Sequence, residues 1–203
     1  METRYMQMQD VTTRSDENGD IYLEGMFAVY DSIYNVYPGA TESIAKGAFS
    51  ESIHGDVRAL YNHNSDIVLG RTSAGTLELR DTDVGLWGKI KINKDDTEAM
   101  NAYARVQRGD LSGCSFGFDI APGGEDTVIR DDGTVHWTIT KVDPLYEISP
   151  CVFPAYEATH ITARGNDLEN VKKRQVQEWR TRMMSRLKEV SNGTESVETS
   201  EEH

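Results

Sequence analysis

"LSGCSFGFDI", Leu111 to Ile120, carries two different faces in one short run. A strand turns successive side chains to opposite sides. Ser112, Cys114, Phe116, Phe118 and Ile120 then share one face, and Leu111, Gly113, Ser115, Gly117 and Asp119 share the other. The first is a core face by composition. On the second, Ser115 has a glycine two residues away on each side, so nothing bulky crowds its hydroxyl, and glycine inside a strand often marks close approach by another backbone. Such a face suits an extended peptide lying over the serine, and equally suits the tight packing of two sheets. Cys114 is a rival nucleophile, because a thiolate is intrinsically stronger than an alcohol. The alternation points it into the core, where cysteine behaves as a small hydrophobe.

The surrounding sequence is of the same kind. "SDENGD" (Ser15–Asp20) and "RDDGT" (Arg130–Thr134) hold the Asn-Gly and Asp-Gly pairs that supply positive φ for tight hairpins. Ile21, Leu23, Phe27 and Val29 after the first turn, and Val135, Trp137 and Ile139 after the second, have the period of half-buried strands. Further strands are expected at Val57–Tyr61, Thr76–Arg80, Leu86–Ile92 and Leu145–Phe153. So many short strands predict a mainly β, α+β fold with a closed or nearly closed barrel, since closure removes exposed edges. Two helices are expected to interrupt it. One covers "TESIAKGAFSESIHG" (Thr41–Gly55), capped by Thr41 and burying Ile44, Ala48 and Ile53. The other covers "DDTEAMNAYARVQRG" (Asp95–Gly109), with Asp95 and Glu98 at capping-box spacing and Met100, Tyr103, Ala104 and Gln107 on one face.

Residues 1–165 therefore form the expected β domain. Residues 166–190 read as an amphipathic helix, with Val176, Trp179, Met183, Leu187 and Val190 on one stripe and seven basic against four acidic residues. Residues 191–203, acidic and poor in apolar residues, read as a disordered tail. The whole chain of 203 residues carries a formal net charge of −13, which disfavours a surface built to grip nucleic-acid phosphates or anionic lipid. No run of about 18 apolar residues suggests a membrane span, and "METRYMQMQD" lacks the apolar centre of a signal peptide, so a cytoplasmic location is expected. Cys114 and Cys151 are the two cysteines, without C-x-x-C spacing, and the five histidines form no H-E-x-x-H or H-x-H pair. Neither a disulfide framework nor a metal or other cofactor is expected.

A serine hydroxyl needs a base that works near neutral pH, and histidine is the first candidate. "RALYNHNSD" sets His63 just after a strand in a polar context, where catalytic groups are commonly presented. His136 lies opposite an apolar strand face and is expected to face solvent, and His54 sits at a helix terminus. The base in turn is commonly held by a carboxylate. Glu147, in the otherwise largely apolar "DPLYEISPCVFPAY", is either at a surface face or paired, because unpaired burial is costly. Asp66 and Asp119 are alternatives among which local physics does not choose.

Taken together, "GAF" (Gly47–Phe49), "ALYNHN" followed by "LGR" (Leu69–Arg71), "LSGCSFGF" and "LYEISPCVFPAY" resemble, in order and spacing, the prohead proteases of tailed bacteriophages. These are serine peptidases distantly related to the herpesvirus assemblins, and the resemblance spans about Gly25 to Tyr156. It implies a compact assemblin-like β-barrel surrounded by helices, with His63 as base, Ser115 as nucleophile and Glu147 as the acidic third member. Herpesvirus relatives use a second histidine there, so His136 and His160 stay open as weaker candidates. Arg71, Gly113 and Gly117 are candidate supports for an oxyanion. The resemblance also implies a partner, the capsid protein or its scaffold part inside an assembling prohead. Self-cleavage within Ser191–His203 and a homo-oligomeric state are further expectations. A non-catalytic capsid-assembly factor with the same fold is the alternative.

Overall fold

Tight turns form where Asn-Gly and Asp-Gly stand. Gly19 (φ 77°) and Gly133 (φ 80°) take the left-handed backbone that a β-carbon would oppose. The computed structural model describes residues 2–6 and 11–152, together with Gln177 and Thr181. The chain divides into two compact units, Met1–Glu157 and Ala158–His203. In the second, Gln177 and Thr181 are helical, with the Thr181 hydroxyl donating to the Gln177 carbonyl at 2.9 Å. The rest of the expected basic helix, the acidic tail and His160 lie outside the described residues.

The described part of the first unit is mainly β with one α-helix, arranged as three sheets. The largest contains β1 (Glu2–Met6), β6 (Arg58–Tyr61), β7 (Asn64–Arg71), β10 (Gly113–Ile120) and β13 (Val142–Cys151), in the order β1-β10-β13-β6-β7. The second contains β4 (Tyr34–Tyr37), β5 (Ala40–Ile44), β11 (Glu125–Ile129) and β12 (Val135–Ile139), in the order β11-β12-β5-β4. The third contains β2 (Thr12–Ser15), β3 (Ile21–Val29), β8 (Leu77–Asp81) and β9 (Gly85–Lys91), in the order β2-β3-β9-β8. The α+β class thus holds, but among the described residues no ladder closes into the expected barrel. The free edge at β7 is managed by polarity instead, with Asn64, Ser65, Asp66 and Arg71 exposed along it.

The even face of β10 is the core face. Cys114, Phe116 and Phe118 are buried in the main apolar cluster with Phe27, Phe49, Leu86, Ile90 and Ile148. Phe49 meets Phe116 edge-on at 5.4 Å between ring centroids, and Phe116 stacks on Phe118 at 5.1 Å. The strand starts at Gly113 rather than Leu111, although Leu111 is fully buried.

Two helical expectations are corrected. Ala40–Ile44 is not the start of a helix but strand β5, pairing in parallel with β12 and antiparallel with β4. Gly47 at φ 82° breaks any continuation, and only a short 3₁₀ turn, Ser52–His54, remains of the expected helix, with His54 exposed at its end. The second helix is present as α1 (Thr97–Arg108), but its cap is Asp96, not Asp95: the Asp96 carboxylate accepts from the N–H groups of Glu98 and Ala99. Gly109 ends it at φ 85°. Its buried face is Ala99, Ala102 and Val106, with Met100 and Tyr103 partly covered, whereas Ala104 and Gln107 are exposed.

Candidate active site

His63 is presented by the β6–β7 hairpin. Tyr61 pairs with Asn64, leaving Asn62 and His63 as a two-residue turn. Both have positive φ, 54° and 60°, as a type I′ turn requires. The second position of such a turn usually holds glycine, and a side chain there costs roughly 1–2 kcal/mol. Three bonds press the tip onto β13. The Asn62 N–H donates to the Pro150 carbonyl at 3.0 Å, the Val152 N–H to Asn62 Oδ1 at 3.3 Å, and the His63 N–H to Ser149 Oγ at 3.2 Å.

Glu147 meets that histidine. Its Oε1 lies 2.7 Å from His63 Nδ1, with the carboxylate side chain 3% exposed and the imidazole 16%. The other oxygen is also engaged, since the Ser149 hydroxyl donates to Oε2 at 2.5 Å. A carboxylate only accepts, so the shared proton belongs to Nδ1 and the lone pair of the neutral ring to Nε2, the arrangement a general base needs.

β10 and β13 put Glu147 and Ser149 on the face of Ser115. Ser115 lies directly opposite Ser149, and Gly117 opposite Glu147, so all four share one face of the ladder. A β-carbon at Gly117 would stand 2.6 Å from Glu147 Oε1, which means that the carboxylate lies over the bare glycine. A bulge follows directly. Gly117 pairs with Glu147 but Phe118 pairs with Leu145, so Tyr146 is the additional residue in β13. Unbroken alternation would have put Leu145 and Glu147 on the same face; the bulge sends Leu145 to the core, while Glu147 keeps the serine side that the continuous register from the Ser115–Ser149 pair gives it. Ser115 itself is 0% exposed.

The other candidates fall elsewhere. His136 is half-buried in the second sheet rather than solvent-facing, with Nδ1 2.8 Å from Thr41 Oγ1 and Nε2 3.0 Å from Ser43 Oγ. Asp66 is exposed on the edge strand β7, and Asp119 accepts from the Tyr146 hydroxyl at 2.6 Å. Arg71 is exposed and gripped by Asp56, with Nε 2.8 Å from Oδ1 and Nη2 2.5 Å from Oδ2. Gly113 and Gly117 lie inside β10, which is flanked by β13 on one side and β1 on the other. The Cys151 thiol is pushed up to about 12, by burial first and by the Glu147 charge second, and Cys114 is fully buried in the core. Neither has the exposed, electropositive setting of a reactive thiol. Among the described residues no group of three or more His, Cys, Asp or Glu could hold a metal ion. Ser149 and Asn62 were missed in the sequence. The signal for Ser149 was its place two residues from Glu147 in one strand, hence on its face.

Comparison with known proteins identifies the family of the chain. The family model described as caudovirus prohead serine protease matches residues 9–174. The prohead protease of Enterobacteria phage HK97 is 26% identical over 162 residues, covering 77% of this chain and 67% of that protein. The solved structure of the bacteriophage T4 capsid assembly protease is similar with a TM-score of 0.42 at 11% identity, over 76% of this chain and 100% of that one.

Proposed function

Because the chain belongs to the caudovirus prohead serine protease family, and is thus a serine peptidase of capsid maturation, we propose that it cleaves the scaffold region of the capsid protein through Ser115, His63 and Glu147. His63 Nε2 takes the Ser115 proton as Oγ attacks the peptide carbonyl, and Glu147 stabilises the imidazolium through Nδ1. The proton then passes to the leaving amine, the amide C–N bond breaks, and the scaffold chain is left as an ester on Ser115. Water, deprotonated by the same histidine, adds to the ester and releases the acid and the free serine. Arg71 serves the oxyanion only by leaving Asp56, which makes it a weaker support than its place in "LGR" suggested. The same activity acts on the chain itself, within Ser191–His203.

The observation that carries the reading is the 2.7 Å contact between Glu147 and His63 on the ladder face that Ser115 shares. The test is coexpression of wild type, His63→Ala, Ser115→Ala and Glu147→Gln, each with the capsid protein of the same phage, followed by intact-mass mapping of the products. Processing is expected with wild type and is expected to be abolished by the first two substitutions. Glu147→Gln should lower it by about 10⁴-fold, as loss of the orienting carboxylate does in triads. Unchanged processing by Ser115→Ala overturns the reading. Association with the capsid protein without cleavage by wild type favours a binding factor instead.

A further inference from the structure

We propose that Ser149 is the positioning residue of this site: one hydroxyl that locks the Glu147 carboxylate and the His63 turn to each other. The inference rests on the triad reading above. Ser149 is fully buried and lies opposite Ser115 in the β10–β13 ladder. Its hydroxyl has one proton and two lone pairs, and both capacities are spent on the machinery. The proton goes to Glu147 Oε2 at 2.5 Å, and a lone pair receives the His63 backbone N–H at 3.2 Å.

Each bond removes a particular freedom. The terminal torsion of a glutamate is broad, so a carboxylate held through one oxygen can swing about it. Held through both, Oε1 at His63 Nδ1 and Oε2 at Ser149, its plane is defined. The second freedom is that of the hairpin tip. The bonds from Asn62 to Pro150 and from Val152 to Asn62 tie the tip to β13, but neither touches the carboxylate. Ser149 does both, so a shift of the turn moves the carboxylate with it and the Nδ1 bond is kept. Its effect on the reaction is exerted through Glu147 and His63, without substrate contact. A placement error of about 1 Å in such a group costs on the order of 100-fold in rate.

The experiment uses the full chain and a purified scaffold-bearing capsid protein as substrate. Ser149→Ala is expected to lower kcat about 10- to 100-fold with KM within about twofold, the pattern of an interaction that matters in the transition state. Ser149→Thr, which keeps the hydroxyl, should recover most of the rate. In a Glu147→Ala background the alanine at 149 should cost less than about threefold, because no carboxylate remains to be held. A readout independent of turnover is the far-downfield proton resonance of His63 Nδ1–H, lost or shifted in Ser149→Ala and retained in Ser149→Thr. Should Ser149→Ala fail to fold, Ser149→Cys, close in size but a weak donor, carries the same comparison. Wild-type kcat and an unmoved resonance in Ser149→Ala overturn the positioning role, as does an equal loss in both backgrounds. Absence of cleavage by the wild type instead overturns the triad reading, while the resonance still reports whether Ser149 holds the pair.

Discussion

A β-carbon at Gly117 would stand 2.6 Å from Glu147 Oε1 and 3.2 Å from its Cγ. The far end of a glutamate usually yields to such a contact, but here His63 and Ser149 hold both oxygens. Gly117→Ala should therefore displace the carboxylate and lower kcat about 10- to 100-fold, while thermal unfolding stays cooperative; wild-type turnover by this variant rejects the crowding argument. At His63 the relevant quantity is backbone strain, φ being 60°. His63→Gly and His63→Ala are both expected to be inactive, but the glycine form should be more stable by about 1 kcal/mol, since only alanine meets the left-handed penalty. Denaturant titration of the two variants decides this. The histidine's position in a polar turn was legible in "ALYNHN"; its positive φ was not, because the dipeptide is Asn-His and lacks the glycine that marks such turns.

At the scale of elements, strand period and turn chemistry carried far. The hairpins at Gly19 and Gly133, the core face of Cys114, Phe116 and Phe118, and the buried Val135, Trp137 and Ile139 all follow from local pattern. Where a neighbour intervened, the pattern misled. "TESI" has a cap and helical apolar spacing, yet pairing on both edges draws it into the second sheet, with Glu42 and Ser43 both buried. Tertiary contact there outweighs a preference of a few tenths of a kcal/mol per residue. The bulge at Tyr146 is invisible in a sequence that reads as one strand, and it sends Leu145 to the face opposite Glu147. Helix α1 offers a control remote in chemistry from the proposed triad. Asp96→Ala removes the bonds to the Glu98 and Ala99 N–H groups and is expected to cost about 1 kcal/mol. A chemical-denaturation midpoint shift with kcat unchanged is the expected result; an equal loss for Asp95→Ala contradicts the cap assignment.

Across the whole molecule, the main apolar cluster draws residues from all three sheets and from α1, so its shielding is lost together when the unit unfolds. The cysteines report on this. With Cys151 pushed up to about 12 from an ordinary 9.0, the folded state favours the thiol, so its contribution to stability is present below about pH 9 and falls as pH rises toward 12. Iodoacetamide at about pH 8.5 should leave Cys114 and Cys151 of the native chain unmodified with activity intact, whereas both react in urea. Rapid native labelling of Cys114 accompanied by inactivation would revive the thiol nucleophile. The sequence by itself determined what depends on near neighbours along the chain: strands, tight turns, and the residue types of a serine, a histidine and a carboxylate in a recognisable order. Tertiary structure alone decided that the described strands form three sheets with no closed ladder among them, that Glu147 meets His63, and that Ser149 joins them. Those outcomes turn on which strands pair and where one residue bulges, and pairing is settled by burial summed over partners distant in sequence.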